Sequence, residues 1–268
     1  MASSDAAFSG SIPALYDRCL GPLLFEPYAR DLAERIAAIA PRRVLETAAG
    51  TGIVTAAIVR ALPDAEIAAT DLNEAMLDVA RERVRSPAVE FRQADAQALP
   101  FADGSFDLVV CQFGAMFFPD RIGAYRESRR VLKRGGLFLF NVWDRIEANP
   151  ASQAAARAVA ALFPDDPPSF LDRVPFGYHD AVRIEKDLLA AGFEEVAIET
   201  VAMRSRASDP RDAAIGLCMG SPLRAEIEAR DPARLEEAAD AAAEAVRALC
   251  GDSGLDVPMS ALVATARG

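Results

Sequence analysis

The fold of this chain is decided by the stretch Val44-Leu45-Glu46-Thr47-Ala48-Ala49-Gly50-Thr51-Gly52. It begins as a short apolar strand and runs into a turn whose two glycines permit tight bending and close approach of a ligand to the backbone. Apolar residues at helical spacing follow over 53–62 and end at Pro63-Asp64. Because a helix N-terminus presents free N–H groups, this strand, turn and helix predict a site for a small polar ligand.

The same alternation of strands and helices continues along the chain. Connections of a few residues between such elements predict a parallel sheet with helices on both faces and right-handed crossovers. In such a sheet, ligands bind beyond the carboxyl ends of the strands. The further strands are predicted at 66–71, 89–93, 106–111 and 137–142, and the helices between them at 74–84 and 122–132.

The regular alternation of strands and helices stops after Asp144, where the sequence becomes rich in alanine and proline. A helix ending at 186–191, a strand at 193–201, mostly helical sequence over 210–249 and a last strand at 257–266 complete the pattern. We expect a single domain, 1–268, with a helical cap over the ligand edge of its core; the alternative is that the cap segments only shield the core. The core is predicted at 41–144, 181–207 and 253–268, and the cap at 1–40, 145–180 and 208–252.

The composition excludes several classes of partner. The net charge of −11 disfavours nucleic acid and anionic lipid, and the densest basic cluster, 126–134, is interpreted as a solvated helix face. One histidine and four scattered cysteines without a CxxC pair argue against a metal site. The start of the chain does not read as a secretion signal and no apolar run is long enough to span a bilayer, so the expected location is cytoplasmic.

Carboxylates follow the first three predicted strands. Glu46 is placed to attract an ammonium group, Asp71 to accept from ribose hydroxyls, and Asp95 to accept from an adenine amino group. Two alternatives stay open: Asp71 as a helix N-cap, a role that Asn73 would also suit, and Asp95 as a turn residue. A nicotinamide or flavin dinucleotide fits this turn less well than a ligand without a pyrophosphate. Thr55 stands where the GxGxxG pattern has its third glycine, and its β-branched side chain would crowd the contact between helix and strand.

Four segments resemble the class I methyltransferases that depend on S-adenosyl-L-methionine. They are VLETAAGTGIVT (44–55), ATDLNEAML (69–77), ADAQALPFADGSFDLVVCQFGAMFFPD (94–120) and RRVLKRGGLFLFNVWD (129–144). The resemblance is closest to the group that includes the ubiquinone/menaquinone C-methyltransferases (type 11), and it covers about 42–144. It implies an α/β, Rossmann-like fold with a seven-stranded sheet whose last strand is antiparallel.

The resemblance also implies roles for individual residues. The methionine part of the cofactor would be held by Glu46, Ala48, Gly50 and Gly52. Asp71 would bind the ribose and Leu72 would pack on the adenine, whose edge Asp95 and Ala96 would meet, while Gln112 and Phe113 would line the pocket. Ala48 replaces the first glycine of the family's usual GxGxG pattern, which narrows the room for the methionine tail.

The methyl acceptor is expected to be a small molecule, hydrophobic or aromatic, bound near Tyr16, Phe117, Trp143 and Phe176. In-line displacement at a methyl group requires a base only if the acceptor must lose a proton, and His179 and Asp144 are the candidates. A nicotinamide-dependent oxidoreductase and a non-catalytic cofactor-binding protein are the alternatives, and a homodimer is left open.

Overall fold

The computed structural model describes residues 4–6, 8, 10–250 and 254–268, which divide into two compact units. A sheet unit comprises Tyr28–Trp143, Tyr178–Val201 and Ala261–Gly268, and a helical unit comprises Met1–Pro27, Asp144–Gly177 and Ala202–Ser260. Residues 28–40, assigned from the sequence to a cap, group with the sheet unit. The division into a core and a cap that covers its ligand edge stays a prediction.

Seven strands form one sheet in the order β3-β2-β1-β4-β5-β7-β6 among the described residues. Neighbouring strands from β3 to β5 pair in parallel, and β7 runs antiparallel to β5. The predicted α/β architecture with an antiparallel last strand is therefore confirmed. The strands are β1 Arg43–Thr47, β2 Glu66–Asp71, β3 Val89–Gln93, β4 Phe106–Gln112, β5 Leu132–Trp143, β6 Glu195–Ala207 and β7 Leu255–Arg267.

Three of the described α-helices begin directly after an aspartate that caps them. The side chains of Asp120, Asp180 and Asp209 each accept a hydrogen bond from an N–H in the first turn of the helix that follows. None of the described helices has the length and apolar character needed to cross a bilayer. The helices are α1 Ile12–Leu15, α2 Glu26–Ile39, α3 Ile53–Ala61, α4 Glu74–Arg83, α5 Arg121–Val131, α6 Pro150–Ala161, α7 Phe170–Arg173, α8 Ala181–Ala190, α9 Pro210–Met219, α10 Leu223–Arg230 and α11 Leu235–Arg247, with a π-helix at Tyr16–Phe25.

The register of the sheet decides which side chains share a face. Glu46 is aligned with Ala69 on one side and with Val110 on the other, and Gln112 is aligned with Asn141. Aligned residues of parallel strands point to the same face, and residues two apart on one strand do so too. Four polar side chains at or near the carboxyl ends of β1, β2, β4 and β5 therefore share one face: Glu46, Asp71, Gln112 and Asn141.

The two faces of the sheet differ in character. Helix α3 packs on the face that carries Glu46, because Thr55 of that helix contacts the Glu46 carboxylate. The opposite face is aromatic: Tyr125 of α5 lies within 5.5 Å, centroid to centroid, of Phe138 and within 5.3 Å of Phe140. The polar face is therefore the one on which a ligand at the strand ends finds charged and hydrogen-bonding groups.

A close contact between Ala48 and Gly114 brings the turn after β1 against the segment after β4. Ala48 has φ +52°, a left-handed backbone conformation that residues other than glycine seldom adopt. A Cβ atom added to Gly114 would lie 2.4 Å from the Cβ of Ala48 and 2.8 Å from the Sγ of Cys111. The bare backbone of Gly114 therefore provides the space that the side chain of Ala48 occupies.

This contact predicts a coupled pair of substitutions. Gly114→Ala should lower the free energy of unfolding by about 1–3 kcal/mol, because the added methyl group overpacks a closed contact. In an Ala48→Gly background the same substitution should cost less, because one of the two colliding atoms is gone. Urea unfolding of the two single variants and the double variant measures this coupling. Strictly additive effects would contradict the contact.

Candidate functional site

The turn after β1 is built from left-handed residues. Ala48, Gly50 and Gly52 have φ values of +52°, +56° and +76°, and α3 begins directly after them at Ile53. The N–H of Gly50 donates to Oδ2 of Asp71 at 2.9 Å. The turn is thereby tied to the carboxyl end of the neighbouring strand β2, so that the two predicted ligand-binding segments form one site.

Glu46 lies next to the last residue of β1, and its carboxylate is buried. Its side chain is almost fully enclosed, since the residue is 1% exposed, and Oε2 accepts a hydrogen bond from the Thr55 hydroxyl at 2.6 Å. Burial raises the pKa of Glu46 to about 8, and the Thr55 bond opposes this rise while the negative charge of Asp71 adds to it. Glu46 is therefore a carboxyl group whose ionisation depends on what lies beside it.

Asp71 ends β2 and is also buried, at 7% exposure. Its Oδ1 accepts from the N–H of Asn73 at 2.8 Å, while Oδ2 accepts from Gly50. Burial raises the pKa of Asp71, and these backbone bonds oppose the rise. The N-cap of α4 is Asn73, whose side chain makes no capping hydrogen bond. Asp71 therefore orders two loops but does not cap the helix.

Both carboxylates lack a cationic partner. Within the part of the chain that the structure describes, no ion pair involves Glu46 or Asp71. Buried charges in folded proteins are normally paired, because the cost of desolvating a lone charge is high. The site therefore suits a ligand that brings a positive charge of its own.

Asn141, on the same face of the sheet as Glu46, and Thr51, in the turn after β1, each have a buried polar atom without a partner in the described structure: the amide nitrogen of Asn141 and the hydroxyl of Thr51. Asn141 is fully enclosed, and its Oδ1 accepts from the N–H of Phe113 at 3.0 Å, where the backbone has φ +50°. Buried polar atoms without partners are uncommon and mark places where a ligand or water completes the bonding. Carboxylates, amide and hydroxyl together fit S-adenosylmethionine, which carries ammonium, sulfonium, carboxylate and ribose groups.

The sequence places Asn141 at the predicted ligand edge of the sheet without a specific role, and it indicates no role for the hydroxyl of Thr55. A polar residue within the apolar strand β5 was the available signal for Asn141. Thr55 was interpreted only as a bulky residue in the position of a glycine. In the structure it is fully buried and uses its hydroxyl to hold Glu46.

The residues predicted to meet the adenosyl group lie at the ends of β2 and β3. Leu72, next to Asp71, is 39% exposed. Asp95 is exposed and accepts from the backbone N–H of Gln97 at 2.9 Å and from its side chain at 3.1 Å. Ala96 lies within the same turn. Their roles toward adenine stay predictions.

The candidate bases both lie outside the regular strands and helices. His179 is exposed in the loop just before Asp180, the N-cap of α8. Asp144 accepts from the Ser260 hydroxyl at 2.9 Å and from the N–H of Arg145 at 2.7 Å. These bonds give Asp144 a structural task at the end of β5, and a catalytic task for either residue stays a prediction.

The four predicted acceptor-pocket residues fall in both units. In the sheet unit, Phe117 lies in a short 3₁₀ turn after β4, and Trp143 stacks on Phe113 with 3.8 Å between ring centroids. In the helical unit, Tyr16 stacks on Phe25 at 4.7 Å, and Phe176 is buried. A shared pocket built from these residues stays a prediction.

The chain is similar to proteins of known class. A family model described as a methyltransferase domain matches residues 45–140. A demethylmenaquinone methyltransferase of Thermotoga maritima is 38% identical over 122 residues, which are 46% of this chain and 52% of that protein. A ubiquinone/menaquinone biosynthesis C-methyltransferase of Pasteurella multocida is 39% identical over 116 residues, 41% of this chain and 43% of that protein. The solved structure of the [4+2]-cyclase SpnF superposes with a TM-score of 0.61 at 21% identity, over 96% of this chain and 93% of that protein.

Residues 45–140 therefore match a methyltransferase domain, and they lie within a seven-stranded sheet in which β7 runs antiparallel to β5. Over this stretch the chain is similar to a demethylmenaquinone methyltransferase and to a ubiquinone/menaquinone biosynthesis C-methyltransferase, which is the group that its motifs resemble. The chain spans about half the length of the curated relatives it matches.

The raised pKa of Glu46 predicts how stability depends on pH. The folded protein keeps the Glu46 proton up to about pH 8, whereas the unfolded chain releases it near the ordinary value of 4.5. Stability should therefore fall as pH rises between these values, by up to about 1 kcal/mol per pH unit from this group. Glu46→Gln removes the group that titrates. The free energy of unfolding of the variant, relative to that of the wild type, should therefore increase from pH 5 to pH 8. Denaturant unfolding at both pH values measures the difference, and an unchanged difference would contradict the burial of an ionisable Glu46.

Proposed function

We propose that this protein transfers a methyl group from S-adenosyl-L-methionine to a small-molecule acceptor. The observation that carries the proposal is the pair of buried carboxylates, Glu46 and Asp71, which share one face of the sheet and lack a cation. When bound, the cofactor would supply a methyl group on a positively charged sulfur. The acceptor atom would take that methyl group by in-line displacement, with the sulfur as the leaving group. The family match over 45–140 supports this reading.

The residues of the site bind and orient the cofactor in this proposal. Glu46 receives the ammonium group, and Asp71 accepts hydrogen bonds from the ribose hydroxyls at the neighbouring strand end. The turn at Ala48, Gly50 and Gly52 lies against the methionine part, and Gln112 with Phe113 follows β4 beside it. Leu72 covers the adenine ring, whose edge Asp95 and Ala96 meet.

Charge separates this proposal from a nicotinamide-dependent oxidoreductase. A dinucleotide carries a pyrophosphate, and its two negative charges would approach the same helix N-terminus that Glu46 and Asp71 flank. Each of the two carboxylates, when ionised, repels such a ligand, whereas it attracts the net positive adenosyl-sulfonium ligand and is itself favoured in the ionised form by that ligand.

The acceptor is proposed to be hydrophobic or aromatic. Two relatives are named as a demethylmenaquinone methyltransferase and a ubiquinone/menaquinone biosynthesis C-methyltransferase, which supports a quinone-like acceptor. Trp143 and Phe113 form a stacked aromatic pair at the carboxyl ends of β4 and β5, close in sequence to the proposed cofactor residues. The partner we propose is a small molecule, because a net charge of −11 disfavours nucleic acid and anionic membranes. The proposed location is the cytoplasm.

Calorimetry on the purified chain tests the cofactor. We expect S-adenosylhomocysteine to bind and NAD to give no heat, and Asp71→Asn to weaken binding about tenfold or more, because a charge-assisted pair of hydrogen bonds to the ribose is lost. Binding of NAD without binding of S-adenosylhomocysteine would overturn the proposal in favour of an oxidoreductase.

Methyl transfer itself requires a second measurement. Protein with methyl-labelled S-adenosylmethionine should label at least one member of a panel of reduced naphthoquinones, phenols and small amines. Glu46→Gln serves as the impaired control, and its labelling should fall with its affinity for the cofactor. Cofactor binding without transfer to any metabolite of a cell extract would instead favour a non-catalytic cofactor-binding protein.

A further inference from the structure

Thr55 is placed unusually for a threonine inside a helix. It lies in the first turn of α3, fully buried, at the position where the dinucleotide-binding pattern requires a small residue. A helical threonine hydroxyl commonly bonds to the carbonyl one turn earlier. Here that carbonyl, of Thr51, accepts from Nε of Arg83 at 2.9 Å, and the Thr55 hydroxyl donates to Oε2 of Glu46 instead.

We propose that Thr55 is a positioning residue of the cofactor site, whose hydroxyl orients the Glu46 carboxylate and favours the ionised form that receives the ammonium group. This inference rests on the proposed function, because it concerns the same carboxylate. It adds a residue that touches the cofactor only through Glu46. It also explains why a β-branched polar residue occupies a position that dinucleotide sites leave bare.

The surroundings of Glu46 leave this hydrogen bond as its main polar support. From β2, Asp71 faces it with a negative charge, and from β4 the thiol of Cys111 is neutral at physiological pH, because burial raises its pKa to about 12. No lysine, arginine or histidine of the described chain pairs with Glu46. The Thr55 hydroxyl is therefore the one side-chain donor to its carboxylate among the described contacts.

A consequence for binding follows from the protonation of Glu46. In the free protein a pKa of about 8 leaves the carboxyl mostly protonated at pH 7. A bound ammonium group favours the ionised form, so cofactor binding should release close to one proton at pH 7 and about half a proton at pH 8. Removal of the Thr55 donor should raise the pKa of Glu46 further. A larger fraction of Glu46 is then protonated at pH 8, so binding at that pH should release more protons.

The test compares Thr55→Val with Thr70→Val. Both substitutions replace a buried hydroxyl with a methyl group of similar size. The Thr70 hydroxyl also bonds to Glu46, but to its backbone carbonyl, at 3.1 Å. Calorimetry with S-adenosylhomocysteine in buffers of different ionisation enthalpy gives both the affinity and the number of protons released. The ligand's own titration is the same in every protein, so it cancels in the comparison.

We expect Thr55→Val to bind S-adenosylhomocysteine about tenfold more weakly at pH 7 for each unit by which the pKa of Glu46 rises. The deficit should narrow as the pH rises toward 9, and proton release at pH 8 should increase from about half toward one. Thr70→Val should keep the wild-type proton count, and Thr55→Ser should restore the wild-type profile because it keeps the hydroxyl.

Other outcomes would overturn the inference. A Thr55→Val protein that binds equally well, or that binds worse by the same factor at every pH with an unchanged proton count, would leave Thr55 a packing residue only. If that variant does not fold, Thr55→Ser and Thr55→Ala form the comparison, and an identical proton count in both has the same meaning. Absence of heat with the wild type at every pH would refute the proposed function first, and this inference with it.

Discussion

The site depends on one electrostatic constraint: two carboxylates are buried together without a positive charge beside them. Glu46 and Asp71 lie at the ends of adjacent parallel strands, and the turn at Gly50 is tied to one of them. Such an arrangement costs free energy in the protein without ligand, because burial opposes the ionisation of both groups and raises the pKa of each. A ligand with an ammonium and a sulfonium group relieves that cost, which makes the fold selective for a cationic cofactor.

The fold alone does not define the reaction. One solved structure that covers nearly the whole chain is named as a [4+2]-cyclase, although its sheet and helices superpose on this protein. What distinguishes functions on a shared scaffold is the chemistry at the carboxyl ends of the strands. Here that chemistry is the carboxylate pair, the buried amide of Asn141 and the aromatic stack of Phe113 and Trp143.

Much of the fold and of the site could be predicted from the sequence, because strands and their terminal residues leave strong local patterns. The pattern predicted Glu46, Asp71 and Gln112 at the ends of their strands, and the structure places them on one face. The bond from Thr55 and the enclosure of Asn141 depend on helix packing and strand register, which join residues far apart or on different elements. Apolar residues at helical spacing indicate helical structure over 10–40, and the structure has it; the pattern does not distinguish the π-helix at Tyr16–Phe25, which contains Pro22, from the α-helices on either side.

The most direct test of the carboxylate account is a crystal structure with bound S-adenosylhomocysteine. We expect its amino nitrogen within about 4 Å of the Glu46 carboxylate and both ribose hydroxyls within hydrogen-bond distance of Asp71. A structure in which the ligand lies away from the ends of β1 and β2, or in which a lysine or arginine of the protein pairs with Glu46, would contradict it.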